Sequence, residues 1–137
     1  MMSIFSKIVA GEIPCNKIAE SEKFLAFLDV NPLAYGHVLV IPKEEINYLF
    51  DMDDDLYSGL MLFSKKVSKA LKINVPCKRI GVAVIGLEVP HAHIHLIPLN
   101  DVGDINFSKP KLKFPQDQMN DLSEKIRSTY DSIYGHI

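Results

Sequence analysis

With 137 residues, the chain has the length of one domain, and 15 Lys+Arg against 17 Asp+Glu leave a formal charge of −2. Hydrophobic residues at 47% and charged residues at 23% describe a globular protein able to build a core, which excludes a disordered tail and a disulfide-stapled miniprotein. With neither net positive charge nor a basic block interleaved with aromatics, the sequence shows no phosphate-tracking surface of the kind nonspecific nucleic-acid binding needs, and no nucleic-acid partner is expected.

The opening MMSIFSKIVAGEIP has neither a basic leader nor a sustained apolar stretch, so no secretory signal is expected and the cytoplasm is the expected compartment. Ser3 can cap a short helix with Ile4, Phe5, Ile8 and Val9 on one face, stopped by Gly11 and Pro14. Strands are predicted at Lys17 to Glu20 and Phe24 to Val30, joined as a hairpin through the polar Glu20-Ser21-Glu22-Lys23 stretch. After Asn31-Pro32, His37 to Ile41 reads as a buried strand ended by Pro42, and Glu44 to Phe50 as a short helix.

Leu56, Leu60, Phe63, Val67, Ala70 and Leu71 recur at three- and four-residue steps and predict the main helix from about Asp53 to Ile73. Its charges suit that direction, with Asp51, Asp53, Asp54 and Asp55 at the positive end of the helix dipole and Lys65, Lys66, Lys69 and Lys72 toward the negative end. Strands Ile80 to Ile85 and His91 to Leu99 follow, separated by the Gly86 to Pro90 turn. A final helix is predicted from Pro115, with Met119, Leu122, Ile126 and Tyr130 on one face. The longest apolar run, Ile80 to Leu87, is less than half of the roughly 18 residues that suggest a membrane span, so no membrane partner is expected. Cys15 and Cys77 form no C-x-x-C pair and are expected to be free thiols, outside any redox motif or structural zinc site. Neither a repeat nor a Gly/Ser linker divides the chain, and the sum is a single α+β domain over residues 1–137 with a mostly antiparallel sheet.

Three of the five histidines fall in His91-Ala92-His93-Ile94-His95-Leu96-Ile97. Alternate strand residues share a face, so His91, His93 and His95 form one polar row while Ala92, Ile94 and Leu96 face the core. Packing alone does not require three imidazoles on one face. Imidazole is a common metal ligand, but same-face strand residues stand about 6.7 Å apart and His91 and His95 roughly 13 Å. One ion with bonds of about 2.1 Å could therefore gather only two neighbours, with a third ligand such as His37. A third reading is nucleophilic attack by a neutral imidazole on a phosphoryl centre, with flanking histidines donating to its oxygens or to the leaving group. Gly86 lets the following turn offer backbone N–H groups to an anion.

His91-Ala-His93-Ile-His95-Leu-Ile matches the signature His-φ-His-φ-His-φ-φ, with φ apolar, of the histidine triad nucleotide-binding proteins. Ile4-Phe5, the segment Ile8 to Pro14, Phe27 to Pro32 and Gly36 to Lys43 extend the resemblance over nearly the whole chain. It implies the family's α+β fold, a mostly antiparallel sheet with one long central helix and short N-terminal and C-terminal helices. It implies a hydrolase or nucleotidyl transferase acting on small-molecule conjugates of a purine nucleoside 5′-monophosphate, such as AMP phosphoramidates. Noncatalytic nucleotide or metal binding and dinucleoside polyphosphate hydrolysis are the alternatives. By the same resemblance His93 is the residue that becomes nucleotidylated, His95 contacts the phosphate, and His91 and His37 complete the histidine network. Phe27, Asp29 and Val30 match positions lining the nucleoside pocket, with Asp29 suited to the ribose hydroxyls; ahead of the signature, where many members carry Gly-Gln-Ser/Thr, this chain has Gly86-Leu87-Glu88, and Glu88 either faces and repels the phosphate or, the preferred reading, is a solvated turn residue. No metal is implied for catalysis, although magnesium can accompany polyphosphate substrates, and a homodimer is expected, with Met61 and Phe63 of the main helix available for contact.

Overall fold

A computed structural model describes residues 2–135, so residues 1, 136 and 137 of the expected domain lie outside the described part. Helix α1, Ile4–Val9, begins where the Ser3 hydroxyl accepts from the Ser6 amide. Strands β1 (Lys17–Glu20), β2 (Phe24–Leu28) and β3 (Val38–Pro42) follow, then helix α2 (Asp54–Asn74), capped by the Asp53 carboxylate on Leu56 N–H. Strands β4 (Arg79–Ala83) and β5 (Ile94–Leu99) precede the last helix, α3 (Gln116–Tyr134). The five strands form one antiparallel sheet in the order β1-β2-β3-β5-β4.

Side-chain alternation gives the sheet two different faces. Phe24, Ala26 and Leu28 of β2, Val38 and Val40 of β3, and Ile94 and Leu96 of β5 enter the large core beneath α2 and α3. Leu25, Phe27, Leu39 and Ile41 point the other way and form a smaller cluster with Phe5 of α1. Both faces are covered, which is why β2 and β3 are uninterrupted apolar runs. The second face carries only α1 and loops, and it is therefore the face with room for a ligand.

The expected helix at Glu44 to Phe50 is not formed; a single 3-10 turn, Leu49–Asp51, takes its place. Its carbonyls are committed elsewhere, since Ile46 O accepts from Ala92 N–H at 2.7 Å and is unavailable to a helical ladder. Phe63 is also not free for a partner chain: it is buried against Phe24 and Tyr130, at ring-centroid distances of 5.6 and 6.1 Å. Met61 stays exposed on α2, as does Leu62, and further apolar exposure lies at and beyond the edge strand β4, at Val82, Val84, Ile85 and Leu87. No helix among the described residues is long and apolar enough to cross a membrane.

Candidate active site

The histidine-bearing segment does not become strand along its whole length. Regular pairing starts at Ile94, and His91 to His93 form an irregular approach to it. The alternation nevertheless holds: Ala92, Ile94 and Leu96 enter the core, while His93 and His95 line a cleft of about 410 Å³ on the opposite face. Their rings are 4.9 Å apart. Across the sheet, His95 pairs with Leu39 and Leu39 with Phe27, so the floor of the cleft is one rung of three strands.

His37 reaches the cleft from the start of β3. Gly36, at φ +91°, makes the turn that an L side chain would strain, and Asp29 N–H donates to His37 O at 2.9 Å, tying the end of β2 to this point. The ring hydrogen bonds leave one arrangement of protons. Leu33 N–H donates to His37 Nδ1 at 3.0 Å, so the His37 proton sits on Nε2 and is donated to His95 Nδ1 at 2.9 Å. His95 must then carry its own proton on Nε2. Burial, reinforced by the neighbouring histidines and Lys111, pushes His37 down to about 3 and His95 down to about 4, which keeps both rings neutral.

His93 donates from Nδ1 to the His91 carbonyl at 2.8 Å, because a carbonyl can only accept. Its Nε2 therefore holds a lone pair. No described side-chain nitrogen or oxygen is both buried and unpartnered, so Nε2, which has no partner, opens onto the cleft. His91 differs from the other two. Its Nε2 donates to Pro42 O at 2.8 Å, its Nδ1 meets the Ser3 hydroxyl at 2.8 Å, and it does not line the cleft. The expected polar row is thus two imidazoles facing the cleft and one beneath them.

Asp29 lines the cleft, with Oδ1 accepting from Asn31 N–H and Oδ2 3.6 Å from His37 Nε2. Burial raises its carboxyl against the opposing pull of Asn31 N–H, His93 and Lys111. Phe27, Val30, Gly86 and Glu88 also line the cleft, Phe27 buried, Val30 and Glu88 exposed at the rim. Gly86 has φ +70° in the loop that leads to the histidines. The structure brings together every residue singled out by sequence except the His91 ring.

Two cleft residues carried no sequence signal. Phe107 packs edge-on against His95 and His37, at centroid distances of 4.7 and 6.3 Å. Lys111, which supplies the only ammonium lining the cleft among the described residues, donates to Phe107 O at 2.8 Å. Both lie in the irregular stretch before α3, where neither periodicity nor a motif points to a site. Asp29, His37 and His95 also offer one ligand atom each within 4.8 Å of one another, a spacing that suits one divalent cation. The two-histidine set that could meet an ion is therefore His37 with His95, rather than two adjacent members of the row.

The family model described as the HIT domain matches residues 10–102. Among curated proteins, an adenosine 5′-monophosphoramidase of Schizosaccharomyces pombe is 35% identical over 130 residues, covering 93% of this chain and 98% of that one. An uncharacterized HIT-like protein of Borreliella burgdorferi is 38% identical over 133 residues, covering 90% and 94%. Among solved structures, a hypothetical histidine triad nucleotide-binding protein from Sulfolobus tokodaii superposes with a TM-score of 0.81 at 27% identity, covering 96% of this chain and 95% of that one.

Proposed function

The chain belongs to the HIT domain family, and from that premise we propose that it hydrolyses or transfers nucleoside 5′-monophosphate conjugates, such as adenosine 5′-phosphoramidate, through a nucleotidyl-His93 intermediate. The observation that carries the reading is the free Nε2 lone pair of His93, held open to the cleft by the Nδ1–H bond to His91 O. Relatives named adenosine 5′-monophosphoramidase, such as the Schizosaccharomyces pombe protein, support the choice of conjugate.

His93 Nε2 attacks the α-phosphorus and a P–N bond forms. The bond to the leaving group breaks, and that group departs with the electron pair and takes up a proton. His95 Nε2–H, the end of the Leu33–His37–His95 chain, donates to a nonbridging oxygen or to the leaving atom. Water then attacks the same phosphorus, which frees His93 and releases the nucleoside monophosphate. Asp29 holds the ribose hydroxyls, while Phe27 and Val30 pack on the nucleoside, Gly86 and Glu88 border the phosphate side, and Lys111 offsets phosphate charge.

No metal is needed in this scheme, because the nucleophile is an imidazole rather than a metal-bound water; magnesium enters only with polyphosphate substrates. A second reading, a metal-binding module, is favoured by the Asp29, His37 and His95 spacing. We also propose a homodimer in the cytoplasm, the dimer supported by the apolar exposure at Val82 on the edge strand β4 and at Val84 and Ile85 just beyond it.

Quenched turnover of adenosine 5′-phosphoramidate should yield an AMP adduct on His93. His93→Ala should abolish both adduct and turnover while still binding AMP, and His95→Ala or His91→Ala should slow turnover. Wild-type rates in His93→Ala would overturn the nucleophile, and activity lost on exhaustive chelation and restored by zinc would favour the metal reading.

A further inference from the structure

Around His91 every polar group is engaged within the protein. Its Nε2–H is given to Pro42 O at 2.8 Å, so Nδ1 accepts. The Ser3 hydroxyl, 2.8 Å away, already accepts from Ser6 N–H at 3.0 Å and has its single proton free for that nitrogen. Ser6 Oγ gives its own proton to Glu45 Oε1 at 2.6 Å, and the same carboxylate oxygen takes Ser3 N–H at 2.6 Å. Ser6 Oγ also stands 3.3 Å from His91 Nδ1, but its one proton goes to Glu45 at 2.6 Å, so the Ser3 hydroxyl is the donor to that nitrogen. Phe5, between the two serines, packs edge-on against both the His91 and the His93 rings, at 5.9 and 4.9 Å.

We infer that Ser3, locked by Ser6 and Glu45, is a positioning residue for the nucleophile: it fixes the His91 ring as an Nδ1 acceptor and thereby holds the His91 carbonyl that keeps the His93 proton on Nδ1. The inference rests on the proposed role of His93 and extends it to α1, which lies outside the residues 10–102 matched by the family model. The geometry leaves His91 no other task toward the substrate, since both of its ring nitrogens are bonded away from the cleft. His91 N–H is likewise held, on Val89 O at 2.8 Å, and Ala92 N–H on Ile46 O at 2.7 Å. The carbonyl between them is therefore aimed by the ring and by both flanking amides. Releasing the ring removes one of these three restraints, and His93 is then able to exchange tautomers, losing the Nε2 lone pair for part of the time.

The test compares three variants with the wild type on adenosine 5′-phosphoramidate. Ser3→Ala should lower kcat roughly tenfold to a hundredfold with KM within about twofold. Ser3→Thr, which keeps both the helix cap and the hydroxyl donor, should restore kcat. Ser3→Asp, which caps α1 equally well but cannot donate to His91 Nδ1, should not. Wild-type kcat in Ser3→Ala, or restoration by Ser3→Asp, would overturn the inference. Nitrogen-15 NMR of the histidines reads the brace independently of turnover. Wild type should show His91 protonated on Nε2 and His93 on Nδ1, and Ser3→Ala should show His93 as a tautomer mixture. An unchanged His93 signal in Ser3→Ala would overturn the brace even if the wild type does not turn over, whereas absent turnover with the expected tautomers would count only against the proposed reaction.

Discussion

His37 and His95 are neutral because burial makes a positive charge costly, and their shared hydrogen bond needs one lone pair and one proton. An ordinary histidine takes up its proton near pH 6.5 in the unfolded chain, while the folded values lie at about 3 and about 4. Between these limits the unfolded state binds more protons, so stability is full above about pH 6.5 and falls as the pH drops toward 4. Melting temperature should decline over that window, and the ring-proton resonances of both residues should stay flat from pH 8 to pH 5. Titration of His95 near pH 6.5 would contradict the buried neutral chain. The resemblance of sequences foretold the histidines as a set. It did not foretell that His91 turns away, since that follows from contacts with Ser3 and Pro42, 88 and 49 residues distant.

At the scale of the element, α2 follows from its apolar spacing and charge gradient, and its observed span, Asp54–Asn74, departs by about one residue from expectation. The helix expected at Glu44 to Phe50 fails because Ile46 O bonds Ala92 and Glu45 reaches the N-terminus of α1, contacts that no local pattern encodes. The turn before β3 depends on one residue. Gly36 has φ +91°, and a Cβ added there would stand 2.9 Å from Val75 Cγ2 and 3.3 Å from Leu71 Cδ1. Gly36→Ala is therefore expected to cost about 2 kcal/mol, a drop of roughly 8 °C in Tm, and to displace His37. A melt within a degree of wild type would show that the turn relaxes freely.

In the whole molecule, α2 and α3 cover one face of the sheet and the histidines lie on the other, so the core and the cleft are built on the same strands and meet at Leu28, which belongs to the core and also lines the cleft. The sheet is capped at β1 by α3 but ends bare at β4, whose exposed Val82 and neighbouring Val84 and Ile85 suit pairing with a second copy. Light scattering at micromolar concentration should return twice the mass of one chain, and Val82→Lys should shift it to the monomer. A wild-type monomer at that concentration would contradict the dimer.

Elements with local signals were legible from the chain alone: the spacing and charge gradient of α2, the Ser3 cap, the alternation that sends Ala92, Ile94 and Leu96 inward, and the clustering of His91, His93 and His95. Packing of distant segments set the rest: which imidazole nitrogens carry protons, that the His91 ring is bonded away from the cleft, that Phe63 is core, and that Phe107 packs against His95 with Lys111 beside it in the cleft lining. The reason is physical. Periodicity and capping depend on neighbours within a turn or two of chain, whereas a proton's position, a ring's burial and a cleft's lining depend on atoms that meet only when distant segments pack.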